Sequence, residues 1–413
     1  MKIRKKSVYI LMTLFLFGCL TCCDSVNNTE DSDDTFAADD VVWSVFKDTT
    51  TDIPLSTTPA KPDLTFLIDT EPSYGSVSIS GMIAAYTPDS NYLGNDSFTY
   101  KAFNGVQYSN TATVTVSVGY AVYSDTGQTD CFDNSGVIDC PSEGEEFYGQ
   151  DAQFSGIAPS YSDNGDGTIT DNVTGLMWQQ TDDNKKTDNF SAWVDTDYFD
   201  LAGYSDWRLP RIDELFNLLH FGREDPLIES NVFLNTKSDY YLSDTPAFTV
   251  PYSTYDYYKI LDFGDAFMSA AEAEETIGYA RYVRGEYQAR TAYTINGDGT
   301  IFEHATNLTW QEEENPEEKI WKDALRYCSE LSLAEKSDWR LPNAKELQNF
   351  SNYPVDIDWL LDYYDYWSST SNSSGDKAYQ GNTVYNEFNF LNKMFLRSVI
   401  CVRGGNSTEV LNR

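Results

Sequence analysis

The side chains of this sequence that could do chemistry are mostly carboxylates, tyrosines and cysteines, because histidine is almost missing. Among 413 residues there are 65 Asp and Glu but only two histidines, His220 and His304. Neither histidine has a serine or cysteine nucleophile at the spacing of a catalytic triad. So many carboxylates occur that no single acid pair of a glycosidase stands out. The chemistry therefore favours a binding protein, and we keep an extracytoplasmic enzyme as the alternative.

A glycine-rich acidic stretch resembles the start of a calcium loop. It reads Asn-Gly-Asp-Gly-Thr-Ile at 164–169 and again at 296–301. An EF-hand needs glycine at its sixth position and glutamate at its twelfth, where this chain has Ile169 and Gly175. The stretch instead predicts a hairpin turn. We assign no metal ligands and no cofactor, and leave calcium open as an ion bridging a ligand.

Composition limits the partners. The formal net charge is −37, and aromatic residues make up 15% of the chain. Such an acidic protein repels nucleic acid and anionic membranes, both of which need a basic face. A high aromatic content is typical of β-rich extracellular binding modules. We expect no nucleic-acid partner, and contact with a membrane only through an anchor.

The amino terminus carries an export signal. Lysines and an arginine precede a short apolar run, which predicts a signal peptide at 1–18 rather than a membrane span. Leu-Phe-Gly before Cys19 resembles a lipobox, with Cys23 as the alternative lipidation site and Cys22 between them. An ordinary cleaved signal peptide is the other interpretation. Polar residues 19–40 predict a flexible tether. These features indicate a cell-envelope lipoprotein, in the outer membrane, that is surface-exposed or periplasmic.

The four remaining cysteines suggest two disulfides in an oxidising compartment. Cys131 and Cys140 are close enough for a local loop. Cys328 and Cys401 lie in the second copy of a repeat that is described below. The first copy has Thr196 and Tyr282 at the corresponding positions, so it lacks both cysteines. Their joint absence favours a Cys328–Cys401 bridge.

The sequence contains a duplicated module. Ser-Asp-Trp-Arg-Leu-Pro at 205–210 recurs letter for letter at 337–342, an offset of 132 that other motifs share. We place the first repeat at 120–288 and the second at 289–413. In both, Arg-Leu-Pro leads into a predicted helix. We expect the tryptophans and the arginines of the motif to be buried. Each arginine should pair with a downstream glutamate, and Asp206 and Asp338 are the alternative partners. The residues of this structural motif are Trp178, Trp207, Arg208, Glu214, Trp310, Trp339, Arg340 and Glu346.

The segment before the repeats predicts a β-sandwich. Residues 41–119 contain short runs of β-branched and aromatic residues separated by turn residues. The run Gly-Asn-Asp-Ser-Phe-Thr-Tyr at 94–100, with Tyr-Thr-Pro at 86–88, resembles bacterial cadherin-like and immunoglobulin-like repeats. That resemblance implies a spacer or adhesion module.

The ordered motifs of the duplicated module resemble the Lcl C-terminal-domain family. They are Asp-Gly-Thr-Ile, Leu-Thr-Trp-Gln, Ser-Asp-Trp-Arg-Leu-Pro, Glu-Leu, Trp-Ser-Ser-Thr and Val-Arg-Gly, the first at 298–301 and the last at 402–404. The resemblance implies a C-type-lectin-like fold. We therefore predict an α+β chain: an N-terminal Ig/cadherin-like β-sandwich followed by two C-type-lectin-like α+β repeats.

The same resemblance implies a function. The family is named for a collagen-like adhesin that binds sulfated glycosaminoglycans, but the charge of this chain favours a neutral glycan, a protein or a calcium-bridged ligand. Sulfatase-modifying-factor proteins share the fold and define the enzyme alternative; they need a reactive cysteine pair. We predict a non-enzymatic adhesion module for a glycan or a host or neighbour-cell surface ligand, and leave oligomerisation open.

Tyrosine-rich stretches supply the candidate ligand-binding residues. Exposed aromatic rings suit stacking on sugars, whereas half-buried strand residues are the alternative interpretation. The candidates are Tyr240, Tyr241, Tyr255, Tyr364 and Tyr366.

Overall fold

The structure is a computed structural model, and it describes residues 35–61, 63–247, 257–273, 276–287, 293–315, 317–350, 365–382, 387–404 and 408–409. Within these ranges the chain is mostly β-sheet with a few short helices. No helix among them is long and apolar enough to cross a membrane. Cys19, Cys22 and Cys23 lie outside the described residues.

The amino-terminal part is a β-sandwich of two sheets, ordered β2-β9-β8-β5 and β3-β7-β6. In β9 the valines point into the core while the intervening threonines and serine are exposed, as the alternating sequence requires. The strands are β1 Ala37–Ala38, β2 Val41–Phe46, β3 Thr51–Pro54, β4 Thr57–Thr58, β5 Thr65–Thr70, β6 Gly75–Ser80, β7 Ile83–Pro88, β8 Gly94–Phe103 and β9 Ala112–Gly119.

The sandwich begins earlier than predicted. Strand β1 pairs with β4, and Ala38 is buried in the sandwich core. The side chain of Asn110 receives a hydrogen bond from the Ala38 amide and returns one to its carbonyl. Residues 37 and 38 of the predicted tether, 19–40, therefore belong to the sandwich. Strand pairing and the Asn110 side chain hold them there.

The connection after the sandwich contacts both repeats, although the predicted bounds assign it to the first. It contains the hairpin β10 Cys131–Phe132 and β11 Val137–Ile138, a 3-10 helix at Asp151–Gln153 and β12 Phe154–Ser155. The disulfide Cys131–Cys140 closes the hairpin, and the Lys393 ammonium donates to the Asp133 carbonyl at 2.8 Å. Strand β12 pairs with residues 408–409. A polar connecting sequence gives no sign of which repeat it will cover.

The first repeat contains a small sheet ordered β13-β14-β15-β21 and five of the eight strands of a larger sheet. Asn-Gly-Asp-Gly forms the β13–β14 turn, where Asp166 accepts from the amide and hydroxyl of Thr168. The elements are β13 Tyr161–Asp163, β14 Thr168–Asp171, β15 Met177–Gln179, β16 Lys186–Asp188, α1 Asn189–Asp195, a 3-10 helix Thr196–Tyr198, α2 Ile212–Asn217, β17 Tyr240–Pro246, β18 Tyr257–Asp262, β19 Met268–Glu272, β20 Ile277–Tyr279 and β21 Val283–Arg284.

The second repeat follows the same order. Its small sheet is β22-β23-β24-β28. The elements are β22 Tyr293–Ile295, β23 Thr300–Glu303, β24 Leu308–Gln311, α3 Trp321–Ser329, α4 Ala344–Phe350, β25 Asp365–Ser371, β26 Lys377–Asn382, β27 Glu387–Asn392, β28 Val402–Gly404 and β29 Thr408–Glu409.

The two repeats share one eight-stranded sheet, ordered β16-β20-β17-β18-β19-β27-β26-β25. Corresponding strands β19 and β27 meet at its centre, where Met268 pairs with Phe388. Corresponding helices also meet: Asn217 and Asn349, which are 132 positions apart, contact each other through their amides at 3.4 Å. Contact between equivalent residues is what a two-fold axis produces. The repeats are therefore related by a pseudo-two-fold axis and share one apolar core.

The second repeat alone is cross-linked. Cys328 of α3 and Cys401, next to β28, form a disulfide that closes a separation of 73 residues, which in the chain-entropy description is worth about 4 kcal/mol. In the first repeat the ring of Tyr282 takes this place, 4.5 Å from the ring of Phe199. Both expected disulfides are thus present.

Candidate functional site

The Trp-Arg-Leu-Pro motif is built into the scaffold of each repeat. Arg208 makes two hydrogen bonds of 2.7 Å to Glu214, and Arg340 makes bonds of 2.7 and 2.6 Å to Glu346. Each glutamate also accepts a backbone amide at the start of its helix. A buried guanidinium requires such satisfied donors. The pairs thus fix the helices against the last strands, and the four motif tryptophans, Trp178, Trp207, Trp310 and Trp339, are buried.

Asp206 and Asp338, the alternative partners predicted for the motif arginines, bind other arginines. Asp206 binds Arg284 through two hydrogen bonds of 2.8 and 3.0 Å, and Asp338 binds Arg403 through two of 2.7 and 2.8 Å. These aspartates are more than half exposed. They clamp the Val-Arg-Gly strand to the motif turn in both repeats.

Three of the five tyrosines predicted to bind ligand lie in the described ranges, and none of these three is exposed. Tyr241 is fully buried and donates to Asp182 at 2.5 Å, while Tyr366 is buried and donates to Glu314 at 2.6 Å. Burial, with the hydrogen bond to Asp182, raises the pKa of Tyr241 far above its ordinary value. Tyr240 is half-buried against the core. Tyr255 and Tyr364 lie outside the described residues.

The physical reason for this correction is that the shared sheet is covered on both faces. In β17 the three consecutive residues Tyr241, Leu242 and Ser243 are all buried. A strand with one open face would alternate between buried and exposed residues. Strand β17 is therefore a central strand, and the ring of Tyr241 is a core residue.

A polar network joins the connection to both repeats. The Thr126 carbonyl accepts from the Phe221 amide at 2.8 Å, and Gln128 exchanges two hydrogen bonds with the backbone of Ser371. The Lys345 ammonium donates to the Asn217 carbonyl at 2.9 Å. Residues 126–128 thereby fasten a loop of the first repeat to a strand end of the second.

Burial shifts two ionisable groups in this network. Burial, followed by the nearby charge of Asp125, raises the pKa of Asp151 to about 7, and burial lowers the pKa of Lys345 to about 8. Asp151 accepts from Thr126 and Thr370. The adjoining cavity holds only about 40 Å³, close to the volume of one water molecule. The network is a polar core, too tight for an organic ligand.

A larger cleft opens where the two repeats meet. Its volume is about 330 Å³, the lower end of the range for small-molecule sites. The first repeat contributes the 221–227 loop and the turn after β18, and the second contributes the turn before β26 and strand β27. The lining residues are Phe221, Glu224, Asp225, Leu227, Gly264, Asp265, Asn372, Ser373, Lys377, Asn389 and Phe390.

The cleft combines an apolar floor with a polar rim. The rings of Phe221 and Phe390 are 6.1 Å apart, and both contact Tyr379 beneath them. On the rim, Asp265 and Lys377 are exposed. No group of three or more histidines, cysteines or carboxylates in the described ranges could hold a metal ion. The arrangement suits a small ligand with one apolar face and several hydroxyl groups.

Sequence analysis missed this cleft because no motif marks it. The 221–227 loop and the 372–377 turn are about 150 positions apart in the sequence, and only the pairing of β19 with β27 brings them together. The one available signal was the duplication itself, since ligand sites often form between packed units.

Sandwich, tandem repeats and inter-repeat cleft define a multidomain, β-rich protein. Comparison with known families agrees. The chain belongs to the family of the Lcl C-terminal domain, whose model matches residues 167–284 and 299–403, more than half of the chain. A bacterial Ig domain model matches residues 32–117. The family assignment made from the motifs is confirmed.

Two solved structures are among those with detectable similarity. One is invasin, a bacterial integrin-binding protein, at 10% identity and a TM-score of 0.17; the match covers 60% of this chain and 58% of invasin. The other is the Yersinia pseudotuberculosis adhesin InvE, at 11% identity and a TM-score of 0.19, covering 89% and 96%. These scores are too low to carry an argument about fold. Comparison with curated proteins gives no match.

The scaffold role of the arginine–glutamate pairs is testable by comparing the two repeats. Arg340 is almost fully buried, whereas 28% of the Arg208 side chain is exposed. Glu346→Gln should lower the free energy of unfolding by about 3–5 kcal/mol, since it leaves a buried charge uncompensated. Glu214→Gln should cost less, roughly 1–3 kcal/mol. Urea unfolding of both variants gives the comparison, and equal losses would contradict the assignment.

Proposed function

We propose that this chain is an exported cell-surface protein of adhesion type that binds a glycan without enzymatic activity. The single observation that carries the proposal is the inter-repeat cleft, with phenylalanine rings in its floor and polar side chains on its rim. Membership of the Lcl C-terminal domain family and the immunoglobulin-like sandwich support it. The predicted lectin-like character of the repeats forms part of the same proposal.

Size and chemistry favour one or two sugar rings in the cleft. A sugar ring has an apolar face of C–H groups that packs on aromatic rings, and hydroxyl groups that hydrogen-bond to carboxylates and amides. The Asn389 side chain is already held in place, since its oxygen accepts from Gln380 at 2.8 Å. The net charge of −37 disfavours a sulfated or otherwise anionic sugar. The ligand class is therefore a neutral glycan.

The cysteines support a binding role over the enzyme alternative. All four cysteines in the described ranges, Cys131, Cys140, Cys328 and Cys401, are in disulfides. Those of the second bridge are fully buried, as is Cys131. An enzyme of the sulfatase-modifying type needs reactive thiols, which must be accessible as thiolates. These cysteines serve the fold instead.

The binding proposal is tested on the exported chain with a glycan array, with and without millimolar calcium, followed by calorimetry on the best ligand. Asp265→Asn and Lys377→Ala should each weaken binding by roughly tenfold, as expected for lost hydrogen bonds to charged groups. Both residues are exposed, so stability should not change. Asp52→Asn, an equally exposed acid of the sandwich, is the matched control.

Two results would contradict the glycan proposal. A blank array in both conditions would remove glycans as the ligand class. Binding that neither cleft variant weakens would place the ligand elsewhere.

We also propose that the protein is lipid-anchored through Cys19, with Cys23 as the alternative. Mass spectrometry of protein released from cell envelopes should find acyl chains on an amino-terminal Cys19, and Cys19→Ala should leave the protein in the soluble fraction. Membrane retention of this variant would move the anchor to Cys23; retention after both are changed would exclude these two cysteines as the anchor.

A further inference from the structure

Helix α1 of the first repeat and the 3-10 helix that follows it carry aromatic residues on their outer surface. Of Phe190, Trp193 and Tyr198, 59%, 57% and 84% are exposed. Phe190 and Trp193 are one helical turn apart, and their ring centroids are separated by 6.5 Å. We call Phe190, Trp193 and Tyr198 the aromatic face. Large aromatic side chains grouped on a surface usually mark a binding site.

The opposite side of α1 is firmly attached. Asp188 caps the helix by accepting from the amide and hydroxyl of Ser191, both at 2.8 Å. Ala192 is fully buried, and the Asn189 side chain donates to the Ser243 carbonyl at 2.9 Å. Phe190 and Trp193 are therefore presented by a fixed helix, so the backbone that carries them needs no ordering on binding.

The second repeat shows that the fold does not require these rings. At an offset of 132, Phe190, Trp193 and Tyr198 correspond to Lys322, Leu325 and Glu330. Leu325 is buried in the core of that repeat. The same helix position therefore works structurally without exposed aromatic side chains. Their presence in the first repeat is a property of that repeat's surface.

Charge decides which ligand fits the aromatic face. The exposed carboxylates Asp195, Asp197 and Asp200 lie in the same short stretch of chain. Together with the net charge of −37, they oppose a nucleic acid, a sulfated polysaccharide or an anionic lipid surface. Carboxylates accept hydrogen bonds from hydroxyl groups, and aromatic rings pack on the C–H faces of sugars. A neutral polysaccharide complements both features.

We propose that the aromatic face of α1 and the following 3-10 helix is a second binding surface, which stacks on successive rings of a neutral polysaccharide chain. It lies beside β16, at the outer end of the shared sheet, whereas the cleft lies at the centre of that sheet. The two surfaces are separate. The inference extends the proposed glycan-binding function, but it does not depend on the cleft being occupied.

The test uses the exported chain in affinity electrophoresis and pull-down with uncharged polysaccharides, namely cellulose, mannan, β-1,3-glucan and chitin. Wild-type protein should bind at least one of them. Trp193→Ala and Phe190→Ala should each weaken that binding by roughly tenfold or more, as expected for an aromatic anchor. Phe395→Ala is the matched control, because 55% of Phe395 is exposed in the second repeat. Unchanged melting temperatures verify that the variants fold.

The outcomes distinguish binding at the aromatic face from binding in the cleft. If Asp265→Asn abolishes polysaccharide binding while Trp193→Ala leaves it intact, the cleft is the only glycan site and the inference is wrong. Failure of the wild-type chain to bind any of the four polymers also overturns it. Binding to phosphatidylcholine or phosphatidylglycerol vesicles that Trp193→Ala removes would reassign the aromatic face to lipid.

Discussion

The pairing of β19 with β27 is the interaction on which the rest of this structure depends. Without this pairing, each strand would be a free edge in the middle of an apolar sheet. A free edge exposes unpaired backbone N–H and C=O groups, and proteins usually protect such edges. Pairing also brings Phe216 of the first repeat against Tyr379 and Phe388 of the second, so the aromatic core spans both repeats. The cleft exists only because this junction exists.

Departures from two-fold symmetry indicate how the halves have specialised. The second repeat has the Cys328–Cys401 bridge and holds the connection from the sandwich. It also contacts the sandwich itself: Trp43 packs 4.9 Å from Phe302, and Asn307 donates to the Ser44 carbonyl at 2.7 Å. The first repeat has no equivalent cross-link and exposes the aromatic face. The second repeat is thus the cross-linked half, and the first repeat is the half with exposed aromatic rings.

Part of this architecture could be predicted from the amino-acid sequence alone. The constant offset of 132 identified the duplication, and pairing of Arg208 and Arg340 with glutamates followed from the need to satisfy a buried guanidinium. Hydrophobic patterning could not reveal that the shared sheet is covered on both faces, which buries Tyr241 and Tyr366. Nor could it reveal the cleft, because residues from both repeats line it. Contacts between distant segments depend on packing that local periodicity does not encode.

The central claim, that two repeats form one cooperative unit, is tested most directly by native-state hydrogen exchange on Phe388→Ala. Phe388 is fully buried at the junction, and its removal should cost about 3–5 kcal/mol. The account predicts that amides of β18–β19 in the first repeat lose protection as much as those of β26–β27 in the second, while β8–β9 of the sandwich stay unchanged. Loss confined to the second repeat would contradict it.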